Sequence, residues 1–181
     1  MNMPAGLTAG TYTADTTHTS AGFTVRHAGI SKVRGTVPVV SASIDVAENF
    51  LDSKVTAELD ARGVNTGSAD RDGHLQSADF FNVDVHPTWT FNSTSITASG
   101  SNEFVVNGDL TINGVTKSVP LEVEFTGTAT DPFGNKRAAF EGELEISRKE
   151  FGLVWNAALE TGGVLVSDKV KINIEVSAIS A

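Results

Sequence analysis

Apolar and polar residues alternate along most of this chain. Between residues 19 and 27, Ala21, Phe23, Val25 and His27 fall on one side, while Ser20, Gly22, Thr24 and Arg26 fall on the other. Successive side chains of an extended strand point to opposite faces, so this period of two predicts a strand with one buried face. The same pattern predicts strands over residues 10–15, 19–27, 33–46, 53–60, 88–96, 104–112, 119–125, 138–146 and 164–177. Gly35 and Pro38 mark a bend or an edge within residues 33–46, because proline cannot donate to a ladder. Asn113–Gly114 joins two of these runs, and both residues tolerate the positive φ of a two-residue hairpin turn. Asp131 to Asn135, with Pro132 and Gly134, predicts a second tight turn.

One stretch breaks the pattern. From Asn65 to Phe91 the alternation stops. Thr66 or Ser68 can cap a helix there, since a side-chain oxygen accepts an otherwise orphaned N–H of the first turn. Asp70 and Asp72 then fall where the helix dipole favours negative charge. Ser77 restarts a short turn bearing Phe80 and Phe81, and Pro87 ends it. Residues 66–82 therefore read as a short helical plug between two halves of a β-structure, with Trp89 and Phe91 on one face of the strand that follows.

About eight or more strands joined by short turns predict an all-β protein, an antiparallel closed barrel in preference to a sandwich. A barrel of about eight strands is just wide enough for its own side chains or for one slim ligand. Long strands make the lumen tall, which suits a thin hydrocarbon better than a compact polar metabolite.

With 181 residues, the chain is expected to form a single domain over residues 10–178, preceded by a flexible leader, residues 1–9. The net charge of −9 argues against nucleic acid and anionic membranes as electrostatic partners. Without cysteine there is no disulfide, thiolate nucleophile or thiolate-bound zinc. No signal peptide and no membrane-spanning run is evident. The expected location is therefore the cytoplasm, or the periplasm or exterior for a chain trimmed of its signal.

His18, His27, His74 and His86 match no metal-ligand spacing, and no nucleophile elbow, phosphate loop or dinucleotide fingerprint is present. Neither a metal nor a cofactor is expected. Glu141, Glu143 and Glu145 alternate with apolar partners and read as a solvated face.

Several stretches together resemble the YceI-like polyisoprenoid-binding proteins: Asp15 with His18, then AGFTVRHAGISKVRG, ADRDGHLQSADFFNVDVHPTWTF, VNGDLTINGVTKSVPLEVEF and ISRKEFGL, in that order. The resemblance runs from about residue 10 to residue 177. It implies an extended lipocalin-like antiparallel barrel that holds an isoprenoid lipid, such as a polyprenyl phosphate or an isoprenoid quinone, without catalysis. It supplies no catalytic residues, and a homodimer is compatible with it.

The expected ligand-binding residues are Phe23, Val25, His27, Arg71, Phe80, Phe81, Trp89, Phe91, Phe151, Leu153 and Trp155. The aromatics cluster around the plug and the loop of residues 149–163, where a barrel mouth belongs, and such lined concavities are what ligand sites look like. A polar ring at His27 needs a partner, either a neighbouring side chain or a ligand head group. Arg71 either reaches a diphosphate or carbonyl or forms a local ion pair that fixes the plug. Arg148 ends the face of Leu144 and Ile146, where a buried structural pair is expected. Two other readings are an enzyme acting on a lipid, with His27 and a carboxylate as acid and base, and an interaction protein with a filled lumen.

Overall fold

A computed structural model describes residues 3–181. The alternating runs become ten strands: β1 Gly10–Ala14, β2 Ser20–His27, β3 Ser31–Thr36, β4 Val39–Val46, β5 Lys54–Asp60, β6 Thr88–Ala98, β7 Glu103–Ile112, β8 Val115–Thr130, β9 Lys136–Ser147 and β10 Val166–Ser180. One helix, α1 Ala69–Gln76, lies between β5 and β6.

All ladders are antiparallel. The strand order is β1-β4-β5-β6-β7-β8-β9-β10-β2-β3, and β1 also pairs with β10. That last pairing closes an eight-strand ring. The two extra strands follow from a division of β10: its last residues pair with β1 at Ala14↔Ala178, while its earlier part pairs with β2 from Val25↔Val170 to Ser20↔Glu175. The expected bend within residues 33–46 falls at Val37 and Pro38, between β3 and β4. A barrel-wall site where one strand gives way to another needs fastening. Arg137 supplies it by donating to Asp15 and Asp131, each at 2.9 Å, and to the Ser177 hydroxyl at 3.2 Å.

The two ends of the barrel differ. At the end holding the β4–β5 and β8–β9 turns, aromatic side chains fill the lumen. Tyr12, Phe104, Ala138 and Ala178 are fully buried there. Phe50 and Phe104 meet at 4.5 Å between ring centroids, and Phe125 and Phe140 at 5.3 Å. At the other end stand the helical plug, the β2–β3 hairpin, the Asn113–Gly114 turn and the loop between β9 and β10.

The plug forms as the sequence predicts. The Ser68 hydroxyl accepts the Arg71 N–H at 3.3 Å and caps α1, while Asp72 is used to receive the Thr66 N–H and hydroxyl. Ser77 ends the helix and begins the turn that carries Phe80 and Phe81. The stretch expected to be a loose leader needs correcting where it is described. Pro4 and Leu7 are buried, and Thr8 receives a hydrogen bond from Lys136 at 2.9 Å. Apolar side chains at both positions give that segment something to bury. Met1 and Asn2 lie outside the described residues.

Candidate ligand-binding site

Above the filled floor the inward faces of the strands do not meet. They surround a cavity of about 200 Å³ whose lining comes from β2, β4 to β10 and the plug. On β10 the lining runs through Val166, Val170, Ile172, Ile174 and Val176. Ten residues of strand rise about 33 Å, and barrel strands tilt by about 40°, so the lining residues of β10 span roughly 25 Å along the barrel axis. Such a volume over such a length is a slim channel. Val170, Ile172, Ile174 and Val176 are only half-buried although they point inward, because no side chain from the far wall covers them.

Glycines let the large side chains lie flat against the wall. Phe23 pairs across the ladder with Gly35, and its ring fills the space a β-carbon on Gly35 would need. At Gly142, a β-carbon would stand 2.6 Å from Cγ1 of Ile174.

Seven of the expected residues line this channel: Phe23, Val25, Phe80, Phe81, Trp89, Phe91 and Leu153. Trp89 and Phe81 meet edge to face with centroids 4.8 Å apart. The indole Nε1 of Trp89 is the one buried side-chain nitrogen or oxygen without a hydrogen-bond partner among the described residues.

Four expectations need correction. His27 shares its strand face with Phe23 and Val25 but is exposed, because it is the last residue of β2 and stands at the very end of the ladder. Arg71 is exposed and outside the channel. It forms no ion pair among the described residues but donates to the Thr66 hydroxyl and carbonyl, each at 2.7 Å, which ties the plug to its entry. Phe151 is wholly buried behind the lining, where its carbonyl receives Asn113 Nδ2 at 3.2 Å. Trp155 packs outside Phe80, at 5.5 Å, and against the edge of His74, at 4.6 Å.

The lining carries one charged residue, Arg148, and it is 3% exposed. The structural partner expected for it is not a single residue: its guanidinium donates to four backbone carbonyls, those of Leu153, Trp155, Val166 and Ser167. Leu153 and Trp155 lie in the loop between β9 and β10 and Val166 and Ser167 on β10, so Arg148 staples that loop to the barrel. Burial lowers its pKa, partly opposed by the nearby charge of Asp168. Asp168 is itself held below the usual carboxylate range, chiefly by the Ser147 hydroxyl at 2.6 Å. With its donors turned to carbonyls, Arg148 leaves the channel surface almost wholly apolar.

The sequence reading missed most of the channel wall: Val39, Ala42 and Ile44 on β4, Val55, Ala57 and Leu59 on β5, Leu75 on α1, and the inward face of β10. Their alternation signalled an inward direction. Nothing local signals whether an inward face meets another side chain or a void. No three His, Cys, Asp or Glu side chains among the described residues gather as a metal site needs.

A closed antiparallel barrel with an apolar channel and a plugged mouth defines a lipocalin-like fold. The chain belongs to the YceI-like family, whose pattern matches residues 12–178. It is 37% identical over 152 residues to a UPF0312 protein of Vibrio campbellii, covering 82% of this chain and 80% of that one. Its fold is similar to that of BcnA from Burkholderia cenocepacia, with a TM-score of 0.79, 21% identity and coverage of 91% of this chain and 98% of that one. It is also similar to a polyisoprenoid binding domain from Saccharophagus degradans, with a TM-score of 0.68, 13% identity and coverage of 94% and 98%.

Proposed function

We propose that this protein carries or stores one isoprenoid lipid, a polyprenyl phosphate or an isoprenoid quinone, with its tail in the channel and without changing it chemically. The observation that carries this reading is the half-buried inward face of β10, a row of branched aliphatic side chains facing empty space in a slim channel. Moving that surface and a prenyl tail out of water together is favourable by about 25 cal/mol per Å², before the cost of ordering the tail. The polyisoprenoid binding domain of Saccharophagus degradans shares the fold, which supports a prenyl tail among hydrocarbon chains.

Carriage is favoured over catalysis by the chemistry of the lining. Its hydroxyls belong to Thr19 and Ser20, and its one charged group, Arg148, is engaged with carbonyls. No lining residue is a His, Asp, Glu, Lys or Tyr that would act as acid or base. The polar head of the ligand then stays at the mouth, since the channel offers it no partner.

Solvent extraction and mass spectrometry of the purified protein, together with titration by a prenyl quinone and a prenyl phosphate, test this. Stoichiometric prenyl lipid or saturable binding is the expected result. Phe23→Asp, which places an unpaired charge against the channel, should abolish binding in a protein that circular dichroism shows to be folded. A folded Phe23→Asp protein that binds as tightly as the parent would overturn the proposal.

A further inference from the structure

We propose that the β2–β3 hairpin docks the barrel mouth onto a bilayer surface rich in anionic headgroups. The chain has 22 acidic residues, yet residues 16–44 contain none. That acid-free stretch includes the whole β2–β3 hairpin, with Arg26, Lys32 and Arg34 exposed on its outer face. The net charge of −9 therefore conceals a basic rim at one side of the mouth, which corrects what the average charge suggests about anionic membranes.

The three cations are placed at a cost. Arg26 stands directly opposite Lys32 in the ladder, and Arg34 is opposite Thr24, two residues along the same face. Like charges facing each other across strands are destabilising. None of the three joins an ion pair among the described residues, whereas Lys169 and Lys171 on neighbouring β10 are neutralised by Glu145 and Glu143. Glu145 and Asp168 line the same groove but are engaged by Lys169 and by Ser147 and the Lys149 N–H, so the facing cations are left for an external anion to relieve.

The tip between them is apolar and fully presented. Ala28 and Gly29 both take positive φ, 53° and 72°, and this turn leaves Ile30 86% exposed. The Ala28 N–H donates to the Leu165 carbonyl at 2.7 Å, which holds the tip beside the late loop and its exposed Val164. A bulky apolar tip collared by cations is the arrangement that interfacial membrane binding uses: the apolar group enters the headgroup boundary and the cations meet lipid phosphates. Asp70, Asp79 and Asp84 are exposed on the plug, so a bilayer meets the hairpin side of the mouth. Phe23 and Val25, on the same strand, line the channel, so docking there brings the opening against the lipid.

The test is co-flotation of the intact protein with vesicles that contain no prenyl lipid, so the outcome is independent of what fills the channel. Binding is expected to vesicles of phosphatidylcholine mixed with phosphatidylglycerol, not to phosphatidylcholine alone, and to weaken in high salt. Each lost cation should weaken it roughly fivefold, so R26Q/K32Q/R34Q should fall to background. Ile30→Ser should weaken it as well. The control is Phe133→Ser, which removes an equally exposed apolar side chain (87%) at the opposite end of the barrel and should change nothing. No flotation of the parent with anionic vesicles, equal binding to neutral ones, or equal losses from Ile30→Ser and Phe133→Ser would each overturn the proposal. Prenyl quinone titration of R26Q/K32Q/R34Q in solution should match the parent, which separates loss of docking from loss of carriage.

Discussion

The ring of Phe91 occupies the space that a β-carbon on Gly108 would need, on the neighbouring strand β7. The absence of a side chain at Gly108 is what lets Phe91 lie along the wall and leave the channel open. Gly108→Val should drive the ring inward. Overpacking of this kind costs about 1–3 kcal/mol, so chemical denaturation should show that loss. Prenyl lipid binding should fall further than stability alone explains, as a titration under native conditions would reveal.

Trp89 should be the fluorophore that reports a ligand. The chain has two tryptophans; Trp89 lines the channel and Trp155 lies outside it. Adding a prenyl quinone should quench or shift the parent emission, and Trp89→Phe should remove most of that response while leaving Trp155 emission. The Trp89 N–H has no partner, so the substitution breaks no hydrogen bond. A full ligand response in Trp89→Phe would place the tail elsewhere.

Arg148→Met should be the most damaging single change at the mouth. It removes a buried donor from four backbone carbonyls, of which that of Val166 keeps the Asn156 amide. A loss on the order of 3 kcal/mol is expected, with hydrogen exchange accelerating first in the loop between β9 and β10. Arg148→Lys should recover little, because an ammonium has three donors and cannot reproduce the planar fork.

Arg137 predicts a pH dependence. Asp15 is held well below the usual carboxylate range, first by the Thr17 hydroxyl and then by His18 and Arg137. Burial works to raise Asp131, but Asn135, Arg137 and the Phe133 N–H outweigh it and bring its pKa to about 2. A depressed folded-state pKa contributes stability above the ordinary value near 4, and that stability is lost as pH falls toward the folded value. Arg137→Gln should therefore lower Tm by a few degrees at pH 7. The gap from the parent should begin to shrink as pH falls below about 4, and should go on shrinking below pH 2, because Asp131 takes its proton near 2 and Asp15 lower still. An unchanged gap at pH 7 and at pH 2 would show that the network is not what fastens β1 to β9.

The strands, the bend at Pro38, the Asn113–Gly114 turn and the plug were legible because each depends on neighbours within a few residues. Ring closure was legible only as a class: a division of β10 between β1 and β2 is a long-range pairing that no local pattern encodes. At the site, alternation gave direction but not height. It put His27 on the face of Phe23 and Val25 correctly, yet could not tell that the ladder ends at it. In the loop there was no period to use, so Phe151, Leu153 and Trp155 looked alike although they lie behind, in and outside the lining. Arg148 was read as half of a buried structural pair, and a buried charge does call for compensation. It finds that compensation in carbonyls, which sequence leaves invisible.

The aromatic floor formed by Tyr12, Phe50, Phe104, Phe125 and Phe140 makes the channel a ruler. A tail shorter than the distance from mouth to floor leaves wall uncovered, so each added isoprene unit should tighten binding. Once the tail touches the floor, any further unit must fold back or remain in water, and affinity should level off with chain length. With the floor filled, a tail carried as proposed would leave by the mouth it entered, past the plug and the stapled loop.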